Sequence, residues 1–321
     1  MHRFRVPGVA LAAIRNGAVL WQEAFGVRRV VPSLPVTEQT VFEVASLGKP
    51  VFAYLVLRLW EDGLLDLDVP LTEYVPEPCI PGEPRLSAVT ARLVLSHRAG
   101  FPNWWTKDKP RALLCAPGER FTYSGEAYQY LQRAVERITG QTLQELARDR
   151  VFDPLGMDDS SYVWRESFND VAADGHWIDG NVRNERPQRA RAGLSLHTTL
   201  RDYVRFVGAM SGRSPSARSG LRAPTLAAML TPYAEYQHGL HWGLGWALQP
   251  SEHGTGFWSC GGNFGYSSFV VATPHGGTGV VAMSNAANGI ALFKVVIPRV
   301  AGGGQPGLMS CGEPSVVVQQ R

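Results

Sequence analysis

The stretch Val44-Ala45-Ser46-Leu47-Gly48-Lys49 decides how the rest of this 321-residue chain is interpreted. It stands between a short apolar segment and a run with helical periodicity, in which residues 52, 55, 56 and 59 form one apolar face. Ser46 therefore precedes a helix that we expect to extend to about residue 61 and to end at Gly63. Free backbone amides and the positive end of the helix dipole favour a developing anion beside Ser46.

Lys49 lies three residues after Ser46, one turn along the same predicted helix face. A buried lysine in that place can lose its proton and accept the proton of the serine hydroxyl. We therefore interpret Ser46 as a nucleophile and Lys49 as its helper in a serine hydrolase that works through an acyl-enzyme. The alternative is a helix-capping serine followed by a lysine in solvent, because Ser-x-x-Lys pairs also arise by chance.

Two further segments carry residues of chemical interest. Residues 121–125 (FTYSG) place Tyr123 on a loop entering a helix, where a tyrosine can share proton transfer with a lysine. The alternative is an ordinary packed tyrosine. Residues 257–266 (FWSCGGNFGY) form a glycine-containing strand that lets a substrate approach the backbone, and an amide there can complete an oxyanion hole. The alternative is a bulge or turn that needs glycine.

Composition excludes several other classes of protein. The chain is 45% hydrophobic and 18% charged, which is typical of a folded protein. Its net charge is +3 with scattered basic residues, and we interpret the short basic segment 186–191 as a solvated loop rather than a nucleic-acid site. The four cysteines at positions 79, 115, 260 and 311 form no CxxC pair, so they predict no zinc or redox motif and require no disulfide.

The N-terminus superficially resembles a signal peptide, but its apolar run at residues 9–14 is too short. A strand leading to a turn at Asn16-Gly17 explains the run better. We expect a cytoplasmic protein if the sequence is full length, and a periplasmic or secreted one if an N-terminal segment was removed. No apolar stretch approaches the length of a membrane span.

The remaining pattern places strands at both ends of the chain and helices between them. This predicts one sheet built from the two termini, with Ser46 at the seam of two subdomains. Predicted strands cover residues 9–14, 19–25, 242–248, 256–260, 266–273 and 279–284, with turns at 262–263 and 274–277. Predicted helices cover residues 91–96, 127–139, 142–151, 200–210, 223–230 and 290–300.

In order and spacing, the chain resembles the serine β-lactamase and penicillin-binding-protein superfamily, especially its class C-like branch, which includes the family VIII carboxylesterases. The resemblance covers about residues 6–302. Besides the motifs above, it rests on segments 6–10 (VPGVA), 25–27 (FGV), 35–37 (PVT), 95–102 (LSHRAGFP), 117–125 (PGERFTYSG), 154–157 (PLGM), 192–194 (AGL) and 243–246 (GLGW).

The resemblance implies an α+β, β-lactamase-like fold, in which an antiparallel sheet is flanked by helices and an all-helical subdomain is inserted. We expect a single catalytic domain over residues 1–302. Its α/β subdomain would comprise about residues 1–45 and 196–302, and its helical subdomain about residues 46–195. Residues 303–321 contain glycine, proline and serine without periodicity, so we expect a disordered tail there.

The resemblance also implies roles for particular residues. Ser46 would be the nucleophile, and Lys49 and Tyr123 would handle protons. The backbone amides of Ser46 and Gly262 would form the oxyanion hole, while His97 would brace the fold. Substrate would bind along Gly125, Ser259, Cys260 and Gly261. No metal and no cofactor are implied.

Two departures from the family pattern bear on the substrate. Many relatives have Tyr-x-Asn where this chain has Gly125, and Lys-Thr-Gly or His-x-Gly where it has Ser259-Cys260-Gly261. The missing cation usually meets a substrate carboxylate, and a charge-assisted contact contributes about 1.5–3 kcal/mol. Its loss favours small neutral esters over penicillins. An apolar acyl pocket could come from four aromatic residues, each of which could instead be core: Trp104, Trp105, Trp258 and Phe264.

Three hypotheses follow from these residues. The first is an esterase acting on small neutral acyl substrates. The second is a β-lactamase or D,D-peptidase that takes its cation from an arginine elsewhere in the chain. The third, from another class, is a catalytically degenerate protein that binds a ligand or partner without turnover. In the enzyme hypotheses the partner is a small-molecule ester or amide; the sequence carries no signal for an oligomeric state.

Overall fold

The strands of the protein come mainly from the two ends of the chain. The structure is a computed structural model that describes residues 1–16, 18–183, 186–211, 220–252, 254–274, 278–301 and 304–311. Its strands are β1 (Gly8–Arg15), β2 (Ala18–Arg29), β3 (Leu34–Pro35), β4 (Val41–Glu43), β5 (Gly175–His176), β6 (Val182–Arg183), β7 (His197–Thr199), β8 (Ala234–Gln237), β9 (Leu240–Trp242), β10 (Ala247–Ser251), β11 (Gly254–Asn263), β12 (Tyr266–Ala272) and β13 (Thr278–Ser284).

Nine of these strands form one antiparallel sheet, in the order β3-β2-β1-β13-β12-β11-β10-β9-β8. The two chain ends meet where β1 pairs with β13, with Val9 opposite Ser284 and Arg15 opposite Thr278. The predicted hairpin is present as β1 and β2, although Gly17 of its predicted turn lies outside the described residues. Residues 275–277 of the second predicted turn also lie outside them. The sequence-based prediction of one sheet from both termini is therefore correct.

The helices are concentrated between these two groups of strands. They are α1 (Gly48–Glu61), α2 (Leu71–Tyr74), α3 (Ala91–Leu95), α4 (Gly125–Thr139), α5 (Leu143–Ala147), α6 (Asp153–Leu155), α7 (Leu200–Met210), α8 (Ala223–Met229), α9 (Gly289–Ala301) and α10 (Pro306–Ser310). Most bounds agree with the predicted ones within about two residues. The predicted helix 142–151 is an exception, because after α5 the chain continues as a π turn at Arg148–Phe152.

Helix α1 runs through the main core of the protein. Eleven of its fourteen residues are buried, so it is apolar on nearly every side rather than on one face. Its side chains pack in one cluster with sheet residues such as Val281 and with residues of the helical segments such as Leu131. A helix fixed on all sides gives a stable base for groups at its N-terminus, where Ser46 and Lys49 lie.

The predicted strand 242–248 is interrupted, which corrects the sequence-based assignment. β9 ends at Trp242, and β10 begins at Ala247. Between them Gly245 has φ +90°, in the left-handed region, and a side chain there would collide with Ala53 of α1. The chain bends at this point because α1 passes directly beneath it.

The C-terminal segment differs from the predicted disordered tail. Residues 306–310 form α10, and Gly307 lies directly against the ring of Trp258. The next residue after α10, Cys311, is joined by a disulfide to Cys260 of β11, with Cα atoms 6.4 Å apart. Apolar burial against β11 thus orders this part of the tail. Residues 303 and 312–321 lie outside the described residues.

Candidate active site

Ser46 lies on a single 3₁₀ turn, Ala45–Leu47, between β4 and α1. The preceding Ala45 has φ +48°, a left-handed conformation that an alanine adopts only when its surroundings impose it. Those surroundings are visible at Val44, whose amide donates to the carbonyl of Leu196 at 3.0 Å and whose carbonyl accepts from the hydroxyl of Ser268 at 2.9 Å. Strand pairing and α1 thus fix the turn that presents the half-buried Ser46.

The side chain of Lys49 is directed at Ser46. Its Nζ lies 2.9 Å from Oγ of Ser46 and donates to the carbonyl oxygen of Gly193 at 3.0 Å. The residue is only 2% exposed, and no ion-pair partner for it exists within the described ranges. The alternative of a lysine in solvent is therefore wrong. A lysine held out of water at hydrogen-bond distance from a serine has the geometry that nucleophile activation requires.

Tyr123 lies beside Lys49, on the loop that enters α4. Nζ of Lys49 is 4.8 Å from the centroid of the Tyr123 ring. The neighbouring Ser124 begins α4, where its hydroxyl accepts from the amide of Ala127 at 2.9 Å. This cap fixes the start of the helix and, with it, the loop that carries Tyr123. The three residues that the sequence predicts to be catalytic therefore lie together in space.

His97 contacts this loop through a hydrogen bond and a ring contact. Its Nδ1 accepts a hydrogen bond from the backbone amide of Ser124 at 3.1 Å, and its ring centroid is 4.3 Å from that of Tyr123. Complete burial, and secondly the positive charge of Lys49, lower the pKa of His97 well below its ordinary value. The imidazole is therefore a neutral acceptor that holds the Tyr123 loop in place, rather than a group that exchanges protons with substrate.

The second half of β11 forms an open edge beside Ser46. Pairing between β10 and β11 runs from Ser251–Gly254 to Ala247–Trp258, so the described residues beyond Trp258 have no β10 partner. At Gly261 an added Cβ would collide with the carbonyl of Val44 and come within 3.2 Å of the Ser46 amide nitrogen. At Gly262 it would meet nothing within 4 Å. Only glycine lets the strand approach the Ser46 turn this closely, while the side-chain position of Gly262 is open.

The space for a side chain at Gly125 is already filled. A Cβ at this position would collide with two ring carbons of Trp104 and lie 2.9 Å from a third. An indole ring thus occupies the space of a side chain at position 125. Of the four aromatic residues considered for an acyl pocket, Trp104 has this position next to the Tyr123 loop.

The other three aromatic residues lie elsewhere. Trp258 is fully buried and packs against Phe269 and Gly307 on the opposite face of the sheet, so it belongs to the core. The ring of Phe264 packs against Trp177, with centroids 5.3 Å apart. Trp105 lines a separate cavity, described below. Trp104 alone among the four thus remains a candidate for contact with an acyl group.

Ser259 and Cys260 supply no charge to the site. Ser259 is 5% exposed. The sulfur of Cys260 is bonded to Cys311, so this position cannot act as a free thiol while the bridge is intact. The sequence did not indicate this pairing, because the two cysteines are 51 residues apart and become neighbours only through the packing of α10.

A cavity of about 360 Å³ opens beside the distal end of β11. The side chain of Asn263, one of its lining residues, donates to the carboxylate of Glu43, which ends β4 just before the Ser46 turn. This bond ties β11 to the strand that leads to Ser46. The cavity wall also carries two arginines, Arg189 and Arg191. The pairing of residues 43 and 263 has no sequence signal, since they are 220 residues apart.

Gly193 is a second contact that sequence reasoning did not assign to the site. Its carbonyl oxygen accepts a hydrogen bond from Nζ of Lys49. A Cβ at this position would lie 3.0 Å from Cε and 3.1 Å from Nζ of that lysine. The available signal was the segment 192–194, which the sequence indicated only as a family segment.

Over the described ranges, no cluster of three or more His, Cys, Asp or Glu residues could hold a metal ion. Within the same ranges, no helix is long and apolar enough to span a membrane.

The chain is similar to known proteins along most of its length. A model of the Beta-lactamase family matches residues 1–304. Penicillin-binding protein 4 of Amycolatopsis lactamdurans is 28% identical over 334 residues, covering 92% of this chain and 86% of that protein. Esterase EstB of Burkholderia gladioli is 31% identical over 195 residues, covering 50% of this chain and 48% of the esterase. A solved class C beta-lactamase has a TM-score of 0.80 at 20% identity, covering 98% and 93% of the two chains.

Proposed function

Because this chain belongs to the beta-lactamase family, we propose that it is a serine hydrolase that forms an acyl-enzyme on Ser46, and that its substrates are esters with small neutral acyl groups. The observation that carries the proposal is the 2.9 Å contact between Nζ of Lys49 and Oγ of Ser46. The burial of Lys49 and the open edge of β11 beside the serine support the same chemistry.

The reaction proceeds in two steps. Oγ of Ser46 attacks the ester carbonyl carbon while its proton passes to Lys49, with Tyr123 as the partner in proton transfer. The carbonyl oxygen becomes an anion, which the backbone amides of Ser46 and Gly262 stabilise. The bond between the carbonyl carbon and the alcohol oxygen then breaks, and the alcohol takes up the proton held by Lys49. Water attacks the acyl-enzyme and gives a proton to Lys49; the bond to Oγ of Ser46 breaks, Oγ takes that proton back, and the carboxylic acid leaves.

The lining of the site favours a neutral acyl group. Ser259 provides no cation where many relatives place a lysine or histidine, and Trp104 fills the space of the amide at position 125. An indole ring offers apolar contact area. A carboxylate on the substrate would lose a contact that contributes about 1.5–3 kcal/mol, or about tenfold or more in kcat/KM.

Hydrolysis of p-nitrophenyl butyrate by the parent protein and by Ser46→Ala tests the proposal. We expect Ser46→Ala to abolish the enzyme-dependent rate, because it removes the hydroxyl that forms the acyl intermediate. Ser87→Ala is the matched control, since Ser87 is exposed and its hydroxyl donates to the local carbonyl of Pro84. Equal rates for the parent and Ser46→Ala would rule out Ser46 as the nucleophile.

A second candidate function follows from the arginines of the 360 Å³ cavity. Arg189 and Arg191 line this cavity beside Asn263, where either could replace the missing strand cation. This arrangement favours a β-lactamase or D,D-peptidase that anchors an anionic substrate there. Penicillin should then add its mass to Ser46, and p-nitrophenyl hydrogen succinate should be preferred to the butyrate. Loss of that preference in Arg191→Gln, but not in Arg186→Gln, would support this candidate over the esterase.

The non-catalytic hypothesis makes a different prediction for the same serine. A degenerate member would leave Ser46 unreactive towards a fluorophosphonate probe. We expect labelling in the parent and none in Ser46→Ala, because Lys49 is placed to activate the hydroxyl. Absence of labelling in the folded parent would favour the binding protein.

A further inference from the structure

A second cavity is lined by Trp105 and by residues of helix α4. Its volume is about 250 Å³, and its wall includes Trp105, Arg111, Tyr130 and Arg133. Ser46, Lys49 and Tyr123 do not line it. The volume is below the usual range for drug-sized ligands, so the space suits a small molecule.

Two buried polar atoms in this wall have no hydrogen-bond partner. They are the hydroxyl of Tyr130 and Nε1 of Trp105, and the Tyr130 residue is only 2% exposed. A buried donor without an acceptor is costly, and such groups in native proteins call for a bound water or ligand. Both residues line the same cavity, and an indole N–H can only donate. The missing partner is therefore an acceptor.

The charges around the cavity also favour an acceptor that is negative. Two guanidinium groups line it, and that of Arg111 stacks 4.8 Å from the ring centroid of Trp105. Neither arginine has an ion pair within the described parts of the chain. The wall contains one carboxylate, that of Glu126, and its Oε1 already accepts from the amide of Trp105 at 3.1 Å. The lining thus carries two cations against one engaged anion.

A thiol in the same wall adds no negative charge. Burial raises the pKa of Cys79 to about 11, although the nearby charges of Arg133 and Arg111 oppose this shift. The thiol is therefore neutral at pH 7.

We propose that this cavity is a second ligand site, which binds a small oxyanion between Arg111 and Arg133 with hydrogen bonds from the Tyr130 hydroxyl and the Trp105 indole. Guanidinium forks match the paired oxygens of carboxylate and phosphate groups. The site is independent of the Ser46 chemistry, so the outcome of the ester assay leaves it unaffected.

Calorimetric titration of the full chain with sodium phosphate and, separately, sodium succinate tests the proposal. Ionic strength is held constant with sodium chloride, and the two anions distinguish a phosphate site from a carboxylate site. We expect saturable binding of at least one anion with one site per chain. Tyr130→Phe removes only the hydroxyl and should weaken binding about fivefold or more, and Arg111→Gln about tenfold or more.

Arg137→Gln is the matched control. Arg137 lies on α4, as Tyr130 and Arg133 do, but it pairs with Glu77 at the surface. Its Kd should equal that of the parent. Tyr130→Phe should also unfold at a temperature no lower than that of the ligand-free parent, since it removes an unsatisfied buried group. Absence of saturable binding of both anions, equal weakening by Arg137→Gln, or unchanged binding in Tyr130→Phe would each overturn the proposal.

Discussion

The indole ring of Trp104 occupies the space into which a side chain at Gly125 would project. The two residues are 21 positions apart, and the backbone between them is fixed by bonds from the amides of Gly125 and Glu126 to the carbonyl of Asn103 at 3.0 Å. A side chain at position 125 and the Trp104 ring would thus compete for one space. Because both residues adjoin the Tyr123 loop, this packing determines the shape of the site on that side.

We predict that Gly125→Asn destabilises the protein through overpacking, by about 1–3 kcal/mol. Trp104→Ala should also lower the free energy of unfolding, since it leaves a cavity. The double variant should be less destabilised than the sum of the two, because removing the ring makes room for the amide. Urea unfolding of the four proteins measures this coupling. Additive losses would show that the two residues do not compete for the same space.

Gly193→Ala should lower esterase activity without unfolding the protein. Its Cβ would lie 3.0 Å from Cε and 3.1 Å from Nζ of Lys49, closer than van der Waals contact. The amine must therefore move away from Ser46. Displacement of a catalytic group by a fraction of an ångström to 1 Å reduces kcat by about ten- to a hundredfold. The control is Gly304→Ala, where a Cβ meets nothing within 4 Å. If both variants keep the parent kcat, the Lys49 position is not set by Gly193.

The free energy of unfolding should fall as the pH drops below about 6.5. Unfolded His97 takes up a proton near its ordinary pKa of 6.5, whereas burial keeps its folded pKa well below that value. The unfolded state therefore binds more protons, and stability falls by up to about 1.4 kcal/mol per pH unit for this group. His197, whose pKa burial lowers to about 4, acts in the same direction. Burial raises the pKa of Asp202 to about 6, which opposes both histidines between about pH 6 and 3.8.

A variant isolates the contribution of His97. His97→Asn keeps an acceptor for the Ser124 amide and tolerates the φ of +54° at this position. Urea unfolding between pH 7.5 and about pH 5 should show a shallower loss of stability than in the parent. The slope of the unfolding free energy against pH should be smaller by up to about 1.4 kcal/mol per pH unit, which corresponds to the uptake of one proton. The exposed His238→Asn should retain the parent slope. Identical slopes for the parent and His97→Asn would contradict a neutral buried His97.

Alkylation of the unfolded, unreduced chain should modify only Cys79 and Cys115. These are the free thiols among the described cysteines, because Cys260 and Cys311 are bonded to each other. Intact-mass measurement should show two alkyl groups without reductant and four after reduction. Cys311→Ser should lower the free energy of unfolding by about 2–4 kcal/mol, as expected for a bridge that closes a loop of this length. Four modified cysteines without reductant would exclude the bridge.

Much of the fold could be predicted because its signals are local. The periodicity of α1, the helix-ending Gly140 and the apolar strands near both chain ends lie within short windows of sequence. The break between β9 and β10 could not be predicted, because it depends on the close contact of Gly245 with Ala53, which lies far away in the sequence on α1. The ordered α10 could not either, since its glycine-containing segment has no periodicity and depends on the ring of Trp258.

The sequence by itself determined the identity and spacing of Ser46 and Lys49, because three residues at the start of a helix bring two side chains to one face. It also determined which usual side chains are missing at positions 125 and 259. Only the tertiary structure decided that Lys49 is buried against Gly193, that Trp104 fills the space at Gly125, and that Cys260 is bonded to Cys311. These contacts join residues far apart in the chain, and their partners are set by the packing of whole helices and strands rather than by local spacing.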